Sequence, residues 1–439
     1  MALCIRRFRR PTLHRACPPA RLAVRRRLRL ECRPRDPGIT PRSKEIVLSS
    51  TLILGGGFGG IACARRLAER APRSHRILLV DRSRDFLVGA AKTWVMLDER
   101  RPDQVVCERS RLLPAGVTRI ADEVRGIDPA RREARTTSGP LSADHLVLAL
   151  GAELDMGAVP GLAEAAQSFY TLDGAVRLRT ALGRFSGGRI VFLVPRLPFK
   201  CPPAPYEAAM MLHAALERRG SRAATTIEVW TLEKAPMGTA GPEMGAAIVR
   251  ELAARGIGFH PGKKATSVEG ARGVVRFEDG GEVAYDLLIA VPPHLAPRIA
   301  VEAGLAAPGG FIPVDPDTLA VKKPGIAPGV YAIGDVTSVA LPGRWAADVP
   351  LVLPKAGVLA AAQGEALAER IAAALRGETP SAAFEGRGHC YIEVGGGRAM
   401  RGDGAFFETP HPVMTARPPD EAQYHDKQAW VEGWLRPPA

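Results

Sequence analysis

The chain of 439 residues carries a formal net charge of +14 and is 46% hydrophobic, so it can bury sizeable cores in two or three domains and is not a disordered protein. The charge is local: residues 1–50 hold 13 Arg and one Lys against three acids, leaving +11 there and +3 over all the rest. The folded part is therefore nearly neutral, and no nucleic acid is expected as a partner.

Residues 1–49 read as a disordered basic arm or as sequence upstream of a true start. They have no apolar run of secretory-signal length, and no stretch of the chain is long and apolar enough for a membrane span. The expected location is the cytoplasm or the periphery of a membrane. Seven cysteines occur, at 4, 17, 32, 63, 107, 201 and 390, with no CxxC, so neither a disulfide scaffold nor a metal site is indicated.

The first strong signal is "STLILGGGFGGIACARRLAERAPRSHRILLVDRS". A buried strand ends at Leu54, Gly55-x-Gly57-x-x-Gly60 follows, a helix runs from Ile61, and a second buried strand ends at Asp81. Gly55 permits the tight turn, Gly57 lets a pyrophosphate reach the backbone, and Gly60 lets the helix pack on the strand. The helix N-terminus attracts phosphates, and Asp81 can accept hydrogen bonds from ribose hydroxyls. Phe58, inside the motif, is counted with the cofactor-binding residues. Cys63, in the helix, and Cys107, in "QVVCERS", read as structural.

Two later segments complete a set: "ADHLVLALGAELDMGAVPG", with Gly151 after a buried strand, and "GVYAIGDVTSV", with Gly334-Asp335 after another. The trio resembles the two-dinucleotide-fold flavoproteins related to glutathione reductase. That resemblance implies FAD, with Asp335 on its ribityl chain. Between these segments lies a second strand–helix–strand–helix unit over 189–255. Its first turn, "PRLPFKCPPAPYE", has no glycine and several prolines, so a pyrophosphate cannot approach its backbone. NADH is not the expected donor.

Cys201 stands in that turn, ahead of a helix and beside Lys200, where the helix dipole and the cation should lower its pKa and make it a nucleophile. The motif CPPAPYE resembles that of flavocytochrome c sulfide dehydrogenases and sulfide:quinone oxidoreductases. The resemblance implies a redox-active cysteine pair beside the flavin, with Cys390, in "RGHCYIEV", as the second member and a proton-handling role for Glu207. It also implies a Pro-Lys-x-Gly turn aimed at the flavin, matched by Lys355 and Gly357 in "LPKAGV".

The chain departs from the group in having no cysteine shortly after Asp81, so the FAD is expected to be non-covalent. No CxxCH haem site occurs, so a cytochrome acceptor would be a separate chain. Trp430 and Trp434, one helical turn apart, could meet a membrane, a second copy in a homodimer, or their own domain.

The expected architecture is α/β: two Rossmann-like domains of the glutathione-reductase type and a C-terminal α+β interface domain. The boundaries are 50–155 with 275–340 for FAD, 156–274 for the second Rossmann-like domain and 341–439 for the interface domain. The expected activity is oxidation of sulfide or a related small sulfur donor through Cys201 and Cys390, with electrons passing through FAD to a quinone or cytochrome. Two alternatives stay open: an FAD-dependent reductase with another donor, NADH dehydrogenase-like, or a redox-inert FAD-binding interaction protein.

Overall fold

The computed structural model describes residues 49–438, so the expected basic arm over 1–49 lies outside them except for Ser49. The strand Ser50–Leu54 is the centre of a five-stranded parallel sheet. Arg76–Val80 and then Val117–Ile120 lie on one side of it, His145–Leu148 and then Val330–Ala332 on the other. Leu52, Ile53, Leu54, Leu146, Val147 and Leu148 are all buried, as expected of a parallel sheet covered on both faces.

The helix Phe58–Arg70 follows the first strand and packs closely against a later helix, Gly357–Leu375. The approach is close because both helices present glycine. A Cβ on Gly364 would collide with the Gly59 carbonyl oxygen and lie 3.0 Å from the Cys63 amide nitrogen. Leu359, Leu367 and Ile371 of the later helix join the core of the first sheet. The expected interface domain of 341–439 therefore divides: residues 357–375 pack with the nucleotide sheet.

The second sheet is also parallel, in the order Gly258–His260, Thr225–Thr231, Gly188–Val194, Leu287–Ala290. Its last strand corrects the expected boundary at residue 274. Leu287–Ala290 pairs with Ile190–Leu193, so this domain runs on past the hairpin strands Ala265–Glu269, Val274–Phe277 and Glu282–Ala284. The antiparallel strands Arg387–Gly395, Arg398–Ala405 and Val413–Asp420 form the C-terminal layer. The helix Glu421–Leu435 follows, capped by the Asp420 carboxylate on the Gln423 amide at 2.8 Å. Ile392, Val394, Met400 and Val431 of this layer share one core with the helix Ala204–Arg218.

The two tryptophans of the last helix pack on their own chain. Trp430 stacks on Phe58 with ring centroids 5.7 Å apart, and Trp434 meets Phe58 edge-on at 4.7 Å and Phe86 at 5.9 Å. Among the described residues, no helix is long and apolar enough to cross a membrane.

Substitution of Gly364 by Ala forces the two helices apart and should destabilise the fold by about 1–3 kcal/mol. Thermal unfolding checks this; an unchanged midpoint would mean that the helix contact is not tight.

Candidate functional site

The strand, the glycine turn and the helix follow one another in the expected order. Gly55 has φ +107° and donates its N–H to the Val80 carbonyl at 2.8 Å, which fixes the turn between the two strands. A Cβ on Gly60 would collide with the Gly55 carbonyl oxygen, whereas one on Gly57 would meet nothing within 4 Å. The helix Phe58–Arg70 starts at Gly57 with no side-chain cap, so its first amide donors are left for a ligand.

These donors open on a cavity of about 840 Å³ that reaches across both sheets and the C-terminal layer. Gly57, Phe58, Gly151, Gly334, Asp335, Lys355 and Gly357 line it, and so do Cys201, Glu207 and Cys390. Gly55, Gly60 and Asp81 do not line it; they brace the turn behind it. Asp81 accepts hydrogen bonds from the Gly56 amide at 2.7 Å and the Ser83 amide at 2.8 Å, and pairs with Arg109 at 3.0 Å. The expected role on ribose is thus overlaid by bonds within the protein. Arg109, 5% exposed, also donates to the carbonyls of Gly56, Ser83 and Asp85 and lines the cavity. Nothing in its local sequence singles it out, because its partners come from two other segments, Gly56 and residues 81–85.

The Gly334-Asp335 turn is held from two sides. The Gln363 side-chain oxygen accepts the Gly334 N–H at 2.6 Å, and the Lys355 ammonium donates to the carbonyls of Asp335 at 2.8 Å and Thr337 at 2.9 Å. Burial pushes Lys355 down to about 8, with the Asp335 charge opposing. One buried carboxylate oxygen of Asp335 has no partner among the described residues. A buried acceptor left free beside an open glycine turn fits a polyhydroxyl chain attached to a pyrophosphate. The residues present therefore fit FAD: Gly57 and the uncapped amides for its pyrophosphate, Asp335 for its ribityl hydroxyls, and the turn at Lys355–Gly357 for its ring end.

Cys201 ends the turn after the strand Gly188–Val194. Its φ is +57°, a conformation disfavoured for any residue with a Cβ. Its N–H donates to the Lys355 carbonyl at 2.7 Å, and its own carbonyl accepts the Ala204 N–H at 2.9 Å. Cys390 comes from the C-terminal sheet, opposite Gly402, where a Cβ would crowd its sulfur at 3.2 Å. Both are free, half-buried thiols. Their acidity reverses the expectation from the helix dipole and Lys200. Enclosure pushes Cys201 up to about 11, the Glu207 charge adds to this, and Lys427 and Lys92 oppose it. Cys390 is pushed up to about 12 by burial and then by the Cys201 charge. Cys63 is buried and pushed up to about 12, in keeping with a structural role, and Cys107 is buried between its strands.

Sequence reading missed Lys92, buried in the cavity wall, where it donates to the Tyr170 carbonyl at 2.9 Å. Burial, with Lys200 nearby, lowers it to about 7. It also missed Lys427, which is 2% exposed and lies between two carboxylates. Both are ordinary lysines in sequence and become unusual only through distant neighbours.

Two outcomes follow. Asp335→Ala removes a charged acceptor worth about 1.5–3 kcal/mol, so FAD should dissociate on the order of 10–100-fold more readily, read from the fluorescence of released flavin. An unchanged affinity would remove Asp335 from the site. Since the thiolate is the reactive form and Cys201 is pushed up, its alkylation should be slower at neutral pH than that of an unfolded peptide cysteine and should climb as the pH approaches 11. A rate that is already maximal at neutral pH would contradict this.

The pyridine nucleotide-disulphide oxidoreductase family model matches residues 49–193 and 206–364, breaking across the turn that carries Cys201. The chain is similar to the mitochondrial sulfide:quinone oxidoreductase of Mus musculus, with 27% identity over 83% of this chain and 79% of that one. The structure resembles that of the sulfide:quinone oxidoreductase of Aquifex aeolicus, with a TM-score of 0.78 and 22% identity over 88% of this chain and 90% of that one. A shorter match, 33% identical over 32% of this chain and 36% of the other, is to an NADH dehydrogenase-like protein of Mycobacterium tuberculosis. The chain belongs to the pyridine nucleotide-disulphide oxidoreductase family and is a flavin-dependent oxidoreductase.

Proposed function

We propose that this protein oxidises sulfide, or a closely related sulfur donor, through Cys201 and Cys390, with a quinone or a separate carrier as the final acceptor. The observation that carries the reading is that two cysteines from different domains line the same cavity as the Asp335 turn and the open glycine loop. The similarity to sulfide:quinone oxidoreductases over four-fifths of the chain supports it.

In the proposed oxidised state, the two cysteines form a disulfide. Hydrosulfide attacks one of its sulfurs: a new S–S bond forms there, the bond between the cysteines breaks, and the other cysteine leaves as a thiolate. When bound, FAD supplies a two-electron acceptor beside the cysteines, held non-covalently. Any further hydrogen bond that Asp81 accepts from a ribose hydroxyl uses the remaining lone pairs of its carboxylate. The backbone bond from Cys201 to Lys355 orients the cysteine turn toward the Lys355–Gly357 turn, so the thiol and the flavin-ring end of the cavity are held together. Glu207, buried and with its carboxyl raised by enclosure, is suited to hold the proton that the incoming sulfide releases.

NADH is the second reading, favoured by the shorter match to an NADH dehydrogenase-like protein. The turn at 195–205 argues against it, since it has five prolines and no glycine where a dinucleotide would need backbone amides. Anaerobic mixing separates the readings. Sulfide should bleach the visible flavin absorbance and NADH should not. Cys201→Ser should keep the bound flavin and lose at least about a hundredfold in sulfide-dependent bleaching, as for loss of an essential reacting group. Bleaching by NADH, or a Cys201→Ser variant as fast as the parent, would refute the thiol route.

A further inference from the structure

A second cavity, of about 350 Å³, lies behind the cysteine site. Glu99, Arg218, Tyr424 and Gln428 are on its walls, and Glu393 and Trp94 are at its inner end. Its rim includes Gly395, Gly396 and Gly397, three successive glycines with φ between +63° and +83°. At the mouth, exposed Glu99 and Arg218 pair at 2.6 Å.

Between the two cavities stands a row of three buried charges. Lys427 Nζ lies 2.9 Å from Glu207 Oε1 and 2.6 Å from Glu393 Oε1. Glu207 and Lys427 line the cysteine cavity, whereas Glu393 lines the second one. All three are at most 5% exposed. The Glu393 amide donates to Glu207 Oε2 at 3.1 Å, Trp94 Nε1 donates to Glu393 Oε1 at 2.7 Å, and the Thr93 hydroxyl donates to Glu207 at 3.4 Å. Two carboxylates and one ammonium leave one negative charge in a dry interior, which is costly. One added proton, shared by the carboxylates, makes the row neutral. Such a proton belongs to the pair and not to one residue.

We propose that Glu207, Lys427 and Glu393 form a proton relay that carries protons between the cysteine cavity and the second, polar cavity. The proposal rests on the sulfide reading for the origin of the proton. The step balances without electron transfer. Protonated Glu207 gives its proton to Lys427 as Lys427 gives one to Glu393; Lys427 ends as an ammonium, and Glu393 releases the proton to water in the second cavity. Glu207 is then a carboxylate again, ready to take the next proton from the sulfur site. The charged and titratable groups facing the row are Cys201, Cys390 and Lys92 on the near side. On the far side they are Glu99, Arg100, Arg218 and Tyr424. Burial, only partly offset by Lys427, raises Glu207, and its two carboxylate neighbours outweigh burial in keeping Lys427 charged. The Glu207 direction agrees with a stored proton.

Two measurements on the flavin-loaded protein test this. The first needs no sulfide: infrared spectra at neutral pH should contain the C=O band of a protonated buried carboxyl, shifted by deuteration. Glu393→Gln should lose it, since Lys427 then balances Glu207 alone. The second is stopped-flow reduction by sulfide. Glu393→Gln should slow it by about a hundredfold, the scale of a lost acid–base group, and formate, small enough for the second cavity, should restore part of the rate. Gln428→Phe, which narrows that cavity without touching the row, should abolish the formate rescue. A missing carboxyl band in the parent, or a Glu393→Gln variant that reduces at the parental rate, would overturn the relay. If the band is present and lost in Glu393→Gln while sulfide reduces nothing, the relay stands and the sulfide reading fails.

Discussion

Everything at the site depends on one backbone hydrogen bond, from the Cys201 amide to the Lys355 carbonyl. Cys201 ends the turn that follows a strand of the second sheet, and Lys355 lies in the turn that opens the helix packed on the first. The bond joins the two domains at the wall of the cavity, and it holds Cys201 in a left-handed conformation that a side chain resists. Lys355 extends the brace by holding the Asp335 turn through two carbonyls. Cys201, the Lys355–Gly357 turn and the Asp335 turn are thus positioned by one connected set of contacts, a main-chain bond continued by the buried Lys355 ammonium.

The second constraint is enclosure. The C-terminal layer closes the cavity with Cys390 and Lys427, while its tryptophans bury the outer side of the glycine loop against Phe58. Enclosure raises both thiols and Glu207, and it lowers Lys92 to about 7 and Lys355 to about 8, which brings the two lysines into the range where they exchange protons around neutral pH. Sulfur chemistry that releases a proton for every sulfide oxidised benefits from such a store.

The sequence was legible where chemistry depends on short spacing. Gly55 and Gly60 stand where a Cβ would collide with backbone, as their spacing suggests, whereas Gly57 is sterically open. The motifs at Asp335, Lys355–Gly357 and Cys201 could be read because each is a local turn, and all of them reach one cavity. What stayed hidden was set by partners far along the chain. Arg109 is bound by residues 24 to 53 positions away, and Lys427 sits 220 positions from Glu207. The expected boundary at 274 falls short because Leu287–Ala290 reads as a buried strand for either sheet, and only pairing decides. Cys201 is raised and not lowered because sequence displays its neighbour Lys200 but not the walls around the sulfur.

The central claim is that Cys201 and Cys390 act as one redox pair. It is tested most directly by peptide mapping of the oxidised protein without reductant, before and after anaerobic addition of sulfide. The account predicts a cross-linked pair of peptides joining residues 201 and 390, replaced after sulfide by a persulfide on one of them and a free thiol on the other. Two thiols that alkylate independently under every oxidising condition, with no added sulfur after sulfide, would contradict it.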